Sequence, residues 1–357
     1  VTQFHSLTIK DVRRETAECV SIAFDIPENL KDQFIFQAGQ NITLKLMRDG
    51  EELRRSYSIC SSPLDNELRV AVKQIPSGKF SGLANRQLKA GDMVEVLPPS
   101  GRFGTRATET TAKKYLAFAA GSGITPVISI IKTVLMTEPD SEFTLVYGNR
   151  DRNNIIFREQ LESLKNKYIS RFAVHHIFSR EKTDAPVNHG RINKEKCEQL
   201  SKGLINVHTM DHIFLCGPEE MIFTVKDWLL YKNVPVNKIH FELFTVPGQK
   251  AAISKAVSES PSGQKSSVTI KLDGVAFEFN HPFEGQSILD GALKQGADLP
   301  FACKGGVCAT CKARLINGEV EMDTNYALEE EELQAGFILT CQSHPRTNEV
   351  TIDFDAK

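Results

Sequence analysis

Long apolar runs are what this chain of 357 residues has least of. Its most apolar stretch, Tyr115 to Ile131, carries no charge but is broken by Gly121, Gly123 and Pro126. A membrane span needs about 20 consecutive apolar residues. The stretch therefore reads as a buried strand, a turn and the start of a helix, and no membrane association is expected. No charged-then-apolar leader opens the chain, so a cytoplasmic location is expected. No basic run is interleaved with aromatics, which sets nucleic acid aside as a partner. The paired Glu-x-x-His motifs of di-iron carboxylate proteins are missing, so this chain does not itself activate oxygen that way. No internal repeat is visible.

What is present suits globular domains: 41% hydrophobic and 25% charged residues, over a length that allows two or three domains. Eight cysteines in such a length do not make a disulfide scaffold. Cys19, Cys60, Cys197 and Cys216 are scattered, as in a reducing cytoplasm. The net charge of −2 hides an asymmetry. Residues 267–357 carry 7 Lys and Arg against 15 Asp and Glu, a net of −8, whereas residues 1–266 carry 36 against 30, a net of +6. Opposite signs on two parts of one chain suit electrostatic docking, and two independently solvated surfaces account for them equally.

The other four cysteines fall in a pattern. Cys303, Cys308 and Cys311 are spaced C-x4-C-x2-C, and Cys341 lies well downstream. This is the plant-type 2Fe–2S spacing: three thiolates on one tight loop wrap a small cluster, and a distant fourth closes it. Gly305 and Gly306 suit a loop that turns sharply and presents N–H groups to sulfur. Zinc or disulfides are the alternatives. Zinc favours two short Cys pairs, and only one is present. From about Ser267 to the C-terminus, including the apolar-periodic run Ser287-Ile-Leu-Asp-Gly-Ala-Leu293, the chain resembles the plant-type ferredoxin domain. The resemblance implies a β-grasp fold of the α+β class and a one-electron carrier.

Residues 1–108 show short alternating runs, such as Asn41 to Met47 and Glu67 to Lys73, with turn signals at Asp49-Gly50 and Pro76-Ser-Gly78. Strands without long helices predict an antiparallel β-barrel. In Arg54-Arg-Ser-Tyr-Ser-Ile-Cys60, alternation puts Arg55 and Tyr57 on one face and Ser56 and Ser58 on the other. A Gly–Ser turn, Gly78-Lys-Phe-Ser-Gly82, enters a short helix and offers N–H groups to a phosphate. Taken singly, the first is equally a half-exposed strand and the second a plain helix cap. Together, in this order, they resemble the ferredoxin–NADP reductase family. That resemblance implies FAD, with Arg55 on its pyrophosphate, Tyr57 on the isoalloxazine, Ser58 near flavin N5, and Gly78 and Ser81 at the pyrophosphate.

Residues 109–246 alternate strands and helices, which predicts an α/β domain with a parallel sheet and ligands at the carboxyl ends of its strands. The strand Lys114 to Ala120 leads into Gly121-Ser-Gly-Ile-Thr-Pro126 and a helix from Val127; His212 to Cys216 leads into Gly217-Pro218. The first turn departs from the dinucleotide pattern G-x-G-x-x-G. It matches the reductase family's variant, so Gly121, Gly123, Thr125 and Pro126 are implied to admit the nicotinamide dinucleotide. Cys216, Gly217 and Pro218 are implied to flank the nicotinamide. The family places a Ser-Arg pair on the 2′-phosphate, matched by Ser179 and Arg180, and Arg150 and Arg191 add charge. A phosphate wants cations, so NADPH is expected, with Glu181 beside the pair as a dissonant neighbour. Glu242 and Phe244 are candidates for a polar role and an aromatic face at the flavin, ordinary strand packing being the alternative. Ser58, Cys216 and Glu242 form the expected catalytic set.

Residues 247–266, rich in Ser, Lys, Ala, Gly and Pro, read as a linker to the ferredoxin domain at 267–357. A nicotinamide gives a hydride and a 2Fe–2S cluster takes one electron, so a flavin belongs between them. As a whole the chain resembles the reductases of multicomponent oxygenases that carry a C-terminal ferredoxin, and among them the reductase subunits of phenylacetyl-CoA epoxidases. The features are Glu52 to Cys60, Ala119 to Pro126, Tyr147 to Arg150, Ala302 to Lys312 and Asp353 to Lys357. The resemblance implies a di-iron oxygenase as protein partner. A reductase for another oxygenase, a stand-alone NAD(P)H–acceptor oxidoreductase and a binding module that has lost turnover are the competing readings.

Overall fold

The computed structural model describes residues 3–48, 50–104, 112–244, 264–272 and 274–356. The expected boundary at 108/109 and the linker up to residue 263 lie outside them.

The first sheet holds β1 (His5–Thr16), β2 (Cys19–Asp25), β3 (Asn41–Arg48), β4 (Glu51–Ser58), β5 (Leu68–Lys73) and β6 (Met93–Val96), in the order β4-β3-β6-β1-β2-β5. Its pairs β1/β2, β1/β6, β2/β5 and β3/β6 are antiparallel. Past the end of β4, Ile59 bridges Val70 and the Cys60 amide donates to the Arg69 carbonyl at 2.8 Å, joining the first strand of that order to the last. Ile9, Ile22, Ile42, Val70 and Phe80 fill the core, Phe80 from helix α1 (Lys79–Arg86).

The second sheet holds β7 (Lys114–Ala120), β8 (Glu142–Asn149), β9 (Phe172–Phe178), β10 (His212–Cys216) and β11 (Ile239–Glu242), all parallel, in the order β11-β10-β7-β8-β9. Helices α2 (Ile124–Thr137), α3 (Arg158–Lys167), α4 (Lys194–Ser201) and α5 (Glu219–Tyr231) intervene. From β7 the chain steps to β8 on one side, and it returns to β10 on the other. The carboxyl ends of β7 and β10 are therefore the topological switch point, where open α/β sheets bind ligands. Helix α2 starts at Ile124, three residues before the expected Val127. Pro126 is tolerated because its missing N–H lies in the first turn, where no partner exists anyway.

Apart from Arg54–Ser56 of β4, these two sheets share a compact unit. One buried cluster takes Cys19, Cys60, Ala71 and Phe103 together with Tyr115, Ile128, Phe157 and Phe214. One face of α2 ties the unit further, since residues three and four apart on a helix are neighbours. Ser129 Oγ donates to the Ser61 carbonyl at 2.6 Å, Lys132 pairs with Asp65, and Ser62 and Thr133 share a hydrogen bond at 2.8 Å.

The third sheet belongs to a second compact unit. Its elements are β12 (Lys265–Leu272), β13 (Val275–Pro282), α6 (Ile288–Lys294), β14 (Lys312–Asn317), β15 (Val320–Met322), α7 (Glu330–Gln334), β16 (Phe337–Leu339), β17 (Ser343–Pro345) and β18 (Glu349–Asp353). The order is β13-β12-β18-β14-β16, with β12 and β18 parallel and β15 paired to β17 apart from it. Strand β12 begins two residues before the expected domain start. Val268 and Ile270 face Val350 and Ile352 in register, all buried. Ser287 caps α6 by accepting the Asp290 amide, and Ile288, Leu289 and Ala292 turn inward over the mixed sheet, which is the β-grasp arrangement.

Several histidines are packed in apolar surroundings. Burial pushes His240 and His176 down to about 4, and lowers His175 and His212 as well. His240 and His176 stay neutral in the folded chain down to about pH 4 but take a proton near pH 6.5 when unfolded. Between the two values the unfolded chain holds more protons, so stability is whole above about pH 6.5 and falls as pH drops toward 4. His176 stacks on Phe178 at 5.9 Å, and its Nδ1 is buried with no protein partner among the described residues. His176→Phe is expected to unfold no more easily at pH 7.5, with a gain of about 1 kcal/mol or more from removing an unsatisfied nitrogen. Its unfolding midpoint should fall less than the parent's between pH 7.5 and pH 5. An unchanged pH slope in urea melts would remove His176 from this linkage.

Candidate functional site

The four thiols of the C-terminal pattern meet. Cys303 is half-buried, and Cys308, Cys311 and Cys341 are buried. Cys308 is hydrogen-bonded with Cys303, and Cys341 with Cys303 and Cys311. The hydrogen bond with Cys303, and then burial, pushes the Cys308 thiol well above its ordinary range. Backbone donors converge on the sulfurs: Gly305 N–H on Cys303 at 3.3 Å, Gly306 on Cys341, and Thr310 on Cys308. Lys304 and Gly306 take left-handed φ values of 51° and 75° to make this loop. Crowded thiolates and the N–H groups aimed at them fit iron, whose charge stabilises deprotonated sulfur. All eight cysteines are free of disulfides. A two-iron cluster, with its ligands divided between the metals, is what the set fits.

The flavin motifs lie on β4 and α1. Arg55 is exposed and Ser58 buried, as strand alternation requires, and the Tyr57 ring packs on Phe80 at 5.5 Å. Gly78 opens α1 without a side-chain cap. A Cβ there would lie 2.4 Å from Ser81 Oγ, which accepts the Ile75 amide at 3.1 Å. The turn is tight at Gly78, and the helix N-terminus beside it offers free N–H groups of the kind that bind anions. Beside it lies a cavity of about 530 Å³ whose lining includes Arg48, Lys79 and Arg86. Sequence reasoning had not singled out these cations, because exposed Lys and Arg carry no pattern of their own. The donor set fits the pyrophosphate of a flavin dinucleotide.

The nicotinamide motifs meet at the switch point. Gly121 has a φ of +53°, and its carbonyl accepts the Tyr147 hydroxyl at 3.0 Å. Thr125 Oγ1 bonds back to the Ser122 carbonyl at 3.0 Å, fixing the first turn of α2. A Cβ on Gly123 would lie 2.0 Å from the Cys216 carbonyl oxygen, and one on Gly217 would lie 2.7 Å from Met221 and 3.2 Å from Ala120. The two turns are thus packed backbone to backbone, with Pro218 opening α5. Lys73, at the end of β5, reaches the same place: its Nζ is 3.5 Å from where a Gly121 Cβ would be. Burial, and then Arg150, lowers its pKa. The sequence reading missed Lys73, since nothing local shows that β5 ends beside β7.

The expected catalytic set comes together from both motifs. Ser58 Oγ donates to Glu242 Oε2 at 3.0 Å, across 184 residues of sequence. Cys216 and Glu242 are register partners on β10 and β11. Burial, and then the nearby Glu242 charge, pushes the Cys216 thiol far up, so it is a neutral contact group and not a nucleophile. Phe244 follows β11 and is 40% exposed.

The candidates for the 2′-phosphate also converge. Ser179 N–H donates to the Asn149 carbonyl at 3.0 Å and Arg180 N–H to the Arg150 carbonyl at 2.8 Å, which sets Arg150 beside Ser179 and Arg180. Glu181 turns to Arg152, accepting from its amide at 2.9 Å and from its Nε at 2.6 Å, and these contacts hold its carboxyl below the usual range. The acid beside the pair is therefore already engaged. Behind the site, buried Lys196 holds the 186–188 turn through the Pro186 and Val187 carbonyls at 3.2 and 2.8 Å.

Comparison with known proteins finds three domain families in the chain. Residues 6–104 match an oxidoreductase FAD-binding domain, residues 118–227 an oxidoreductase NAD-binding domain, and residues 270–346 a 2Fe-2S iron-sulfur cluster binding domain. One of the subunits of the 1,2-phenylacetyl-CoA epoxidase of Escherichia coli K12 is 47% identical over 100% of this chain and 99% of its own length. The ferredoxin reductase component of the 3-ketosteroid-9-alpha-monooxygenase of Rhodococcus rhodochrous is 33% identical over 98% and 96%. Among solved structures, phthalate dioxygenase reductase shares the fold with a TM-score of 0.58 at 24% identity, covering 98% of both chains. The chain belongs to the ferredoxin–NADP reductase family, as a flavin- and iron–sulfur-dependent NADPH oxidoreductase homologous to the reductase subunit of phenylacetyl-CoA epoxidase.

Proposed function

We propose that this reductase serves the oxygenase component of a phenylacetyl-CoA epoxidase, in the cytoplasm where its free thiols stay reduced. The near full-length identity to the Escherichia coli epoxidase component supports the choice of partner. The electron route rests on one observation: the 3.0 Å hydrogen bond from Ser58 to Glu242, which joins the flavin strand to the end of the nicotinamide sheet. A bound flavin supplies the conversion between a two-electron hydride and single electrons that a 2Fe–2S cluster carries. The residues of this chain position the donors. Arg55, Gly78 and Ser81 would hold the FAD phosphates and Tyr57 would cover its ring, with the first sheet closing into a barrel through the Ile59–Val70 bridge.

Gly121, Gly123, Thr125, Pro126, Gly217 and Pro218 would admit the nicotinamide dinucleotide, and Lys73 would meet its phosphates. Ser58 and Glu242 would orient the reacting faces, Glu242 holding a proton-accepting carboxylate beside the Ser58 hydroxyl, while buried Cys216 excludes water. Phe244 would lie at the flavin face. Arg150, Ser179 and Arg180 would bind the 2′-phosphate. Cys303, Cys308, Cys311 and Cys341 would hold the cluster. The domains would run 1–108, 109–246 and 267–357, joined by 247–266.

Arg180→Ala is expected to raise KM for NADPH roughly tenfold to a hundredfold, the worth of one charged phosphate contact at about 1.5–3 kcal/mol, and to leave KM for NADH nearly unchanged. Equal effects on both coenzymes would sink the 2′-phosphate assignment. Cys308→Ser replaces a soft thiolate with a hydroxyl. It should lose the iron–sulfur absorbance, keep ferricyanide reduction by NADPH, and fail to drive epoxidation of phenylacetyl-CoA by the purified oxygenase. Full-rate epoxidation by this variant would take the cluster off the path. A parent chain that supports a different oxygenase and not this one would overturn the proposed partner.

A further inference from the structure

The fourth cysteine ligand is followed by Gln342, which is half-buried beside the cluster loop. Its Nε2 lies 3.1 Å from the Lys304 carbonyl, 2.8 Å from the Cys341 carbonyl and 3.7 Å from Cys341 Sγ. Two carbonyl acceptors fix this end of the amide as the nitrogen. The backbone of the same residue accepts the Asp323 amide at 2.9 Å. On the other side, a Cβ on Gly306 would lie 3.3 Å from Gln342 Cγ. Gln342 therefore touches both halves of the ligand set: the loop that carries Cys303, and Cys341 itself.

We propose that Gln342 is a positioning residue that ties the C-x4-C-x2-C loop to Cys341 and raises the reduction potential of the cluster. Two physical effects act in one direction. With its two hydrogens on the Lys304 and Cys341 carbonyls, the Gln342 amide sets the positive end of its dipole 3.7 Å from Cys341 Sγ, which offsets negative charge there and favours the reduced cluster, which carries one more electron. The carbonyl contact of the same amide holds Lys304 in its left-handed turn, keeping the Gly305 and Gly306 amides aimed at Cys303 and Cys341. This inference rests on the cluster assignment and concerns only how its ligands are tuned.

The test is an EPR-monitored redox titration of the full-length holoprotein, comparing the parent with Gln342→Met and Gln342→Glu. Methionine keeps the length and loses every donor; glutamate keeps the shape, loses the donors and adds charge. Both should lower the potential, so that at the parent's midpoint the reduced-to-oxidised ratio falls several-fold, up to about tenfold or 59 mV for methionine, and further for glutamate. Gln342→Asn, with the amide one carbon short, should fall between methionine and the parent. A potential is independent of the fraction of chains loaded, so a variant that merely loses cluster or melts earlier will not mimic the shift. Unchanged potentials in loaded variants would overturn the proposal, as would loss of the cluster from all three, which would leave Gln342 a clamp alone. A parent chain without iron–sulfur absorbance would instead overturn the cluster assignment beneath it.

Discussion

A tight constraint at the switch point of the reductase unit is the approach of Gly123 to Cys216. With 2.0 Å between a hypothetical Cβ and the Cys216 carbonyl oxygen, no other residue fits without moving a strand end. That contact closes the switch point of the parallel sheet. It sets the turn after β7 against the turn after β10, and it carries Cys216 into register with Glu242. The meeting of Glu242 with Ser58 depends on it, because β11 is the edge strand and takes its register from β10.

The same region shows how a site between two sheets is made rigid without large forces. Each hydrogen bond from α2 to the 61–65 turn is worth about 1 kcal/mol net. An exposed pair such as Arg158–Glu162 contributes less still. The larger share comes from burial, since Cys19, Cys60 and Phe103 sit in one apolar cluster with Tyr115 and Phe214. The polar ties then act chiefly on register: Ser129, Lys132 and Thr133 can meet Ser61, Asp65 and Ser62 in only one alignment of α2.

Charge is placed with the same economy in the coenzyme region. Glu181, which by sequence argues against a phosphate, is turned away by Arg152, and Lys196 is spent holding a turn. Arg150 and Arg180 are brought side by side through a backbone contact that extends the β8–β9 pairing by two residues, and Arg150 also pairs with Glu18 at 3.4 Å.

The sequence by itself determined the elements and the chemistry of the ligands. Period-two alternation marked β3 and β5, strand-then-turn punctuation marked β7 and β10, and Ser287 marked the start of α6. The spacing of Cys303, Cys308 and Cys311 named the cluster, because thiolate reach along a loop is a local property. Errors were confined to ends: α2 begins at Ile124 because a first-turn proline costs nothing, and β12 begins at Lys265 inside the expected linker. Tertiary structure alone decided the meetings between distant residues. Ser58 with Glu242, Lys73 with the Gly121 turn, Glu181 with Arg152 and Gln342 with Lys304 each join positions whose local patterns hold no information about one another. Strand order and the close packing of glycine turns set those distances, and neither is written in any one stretch of chain.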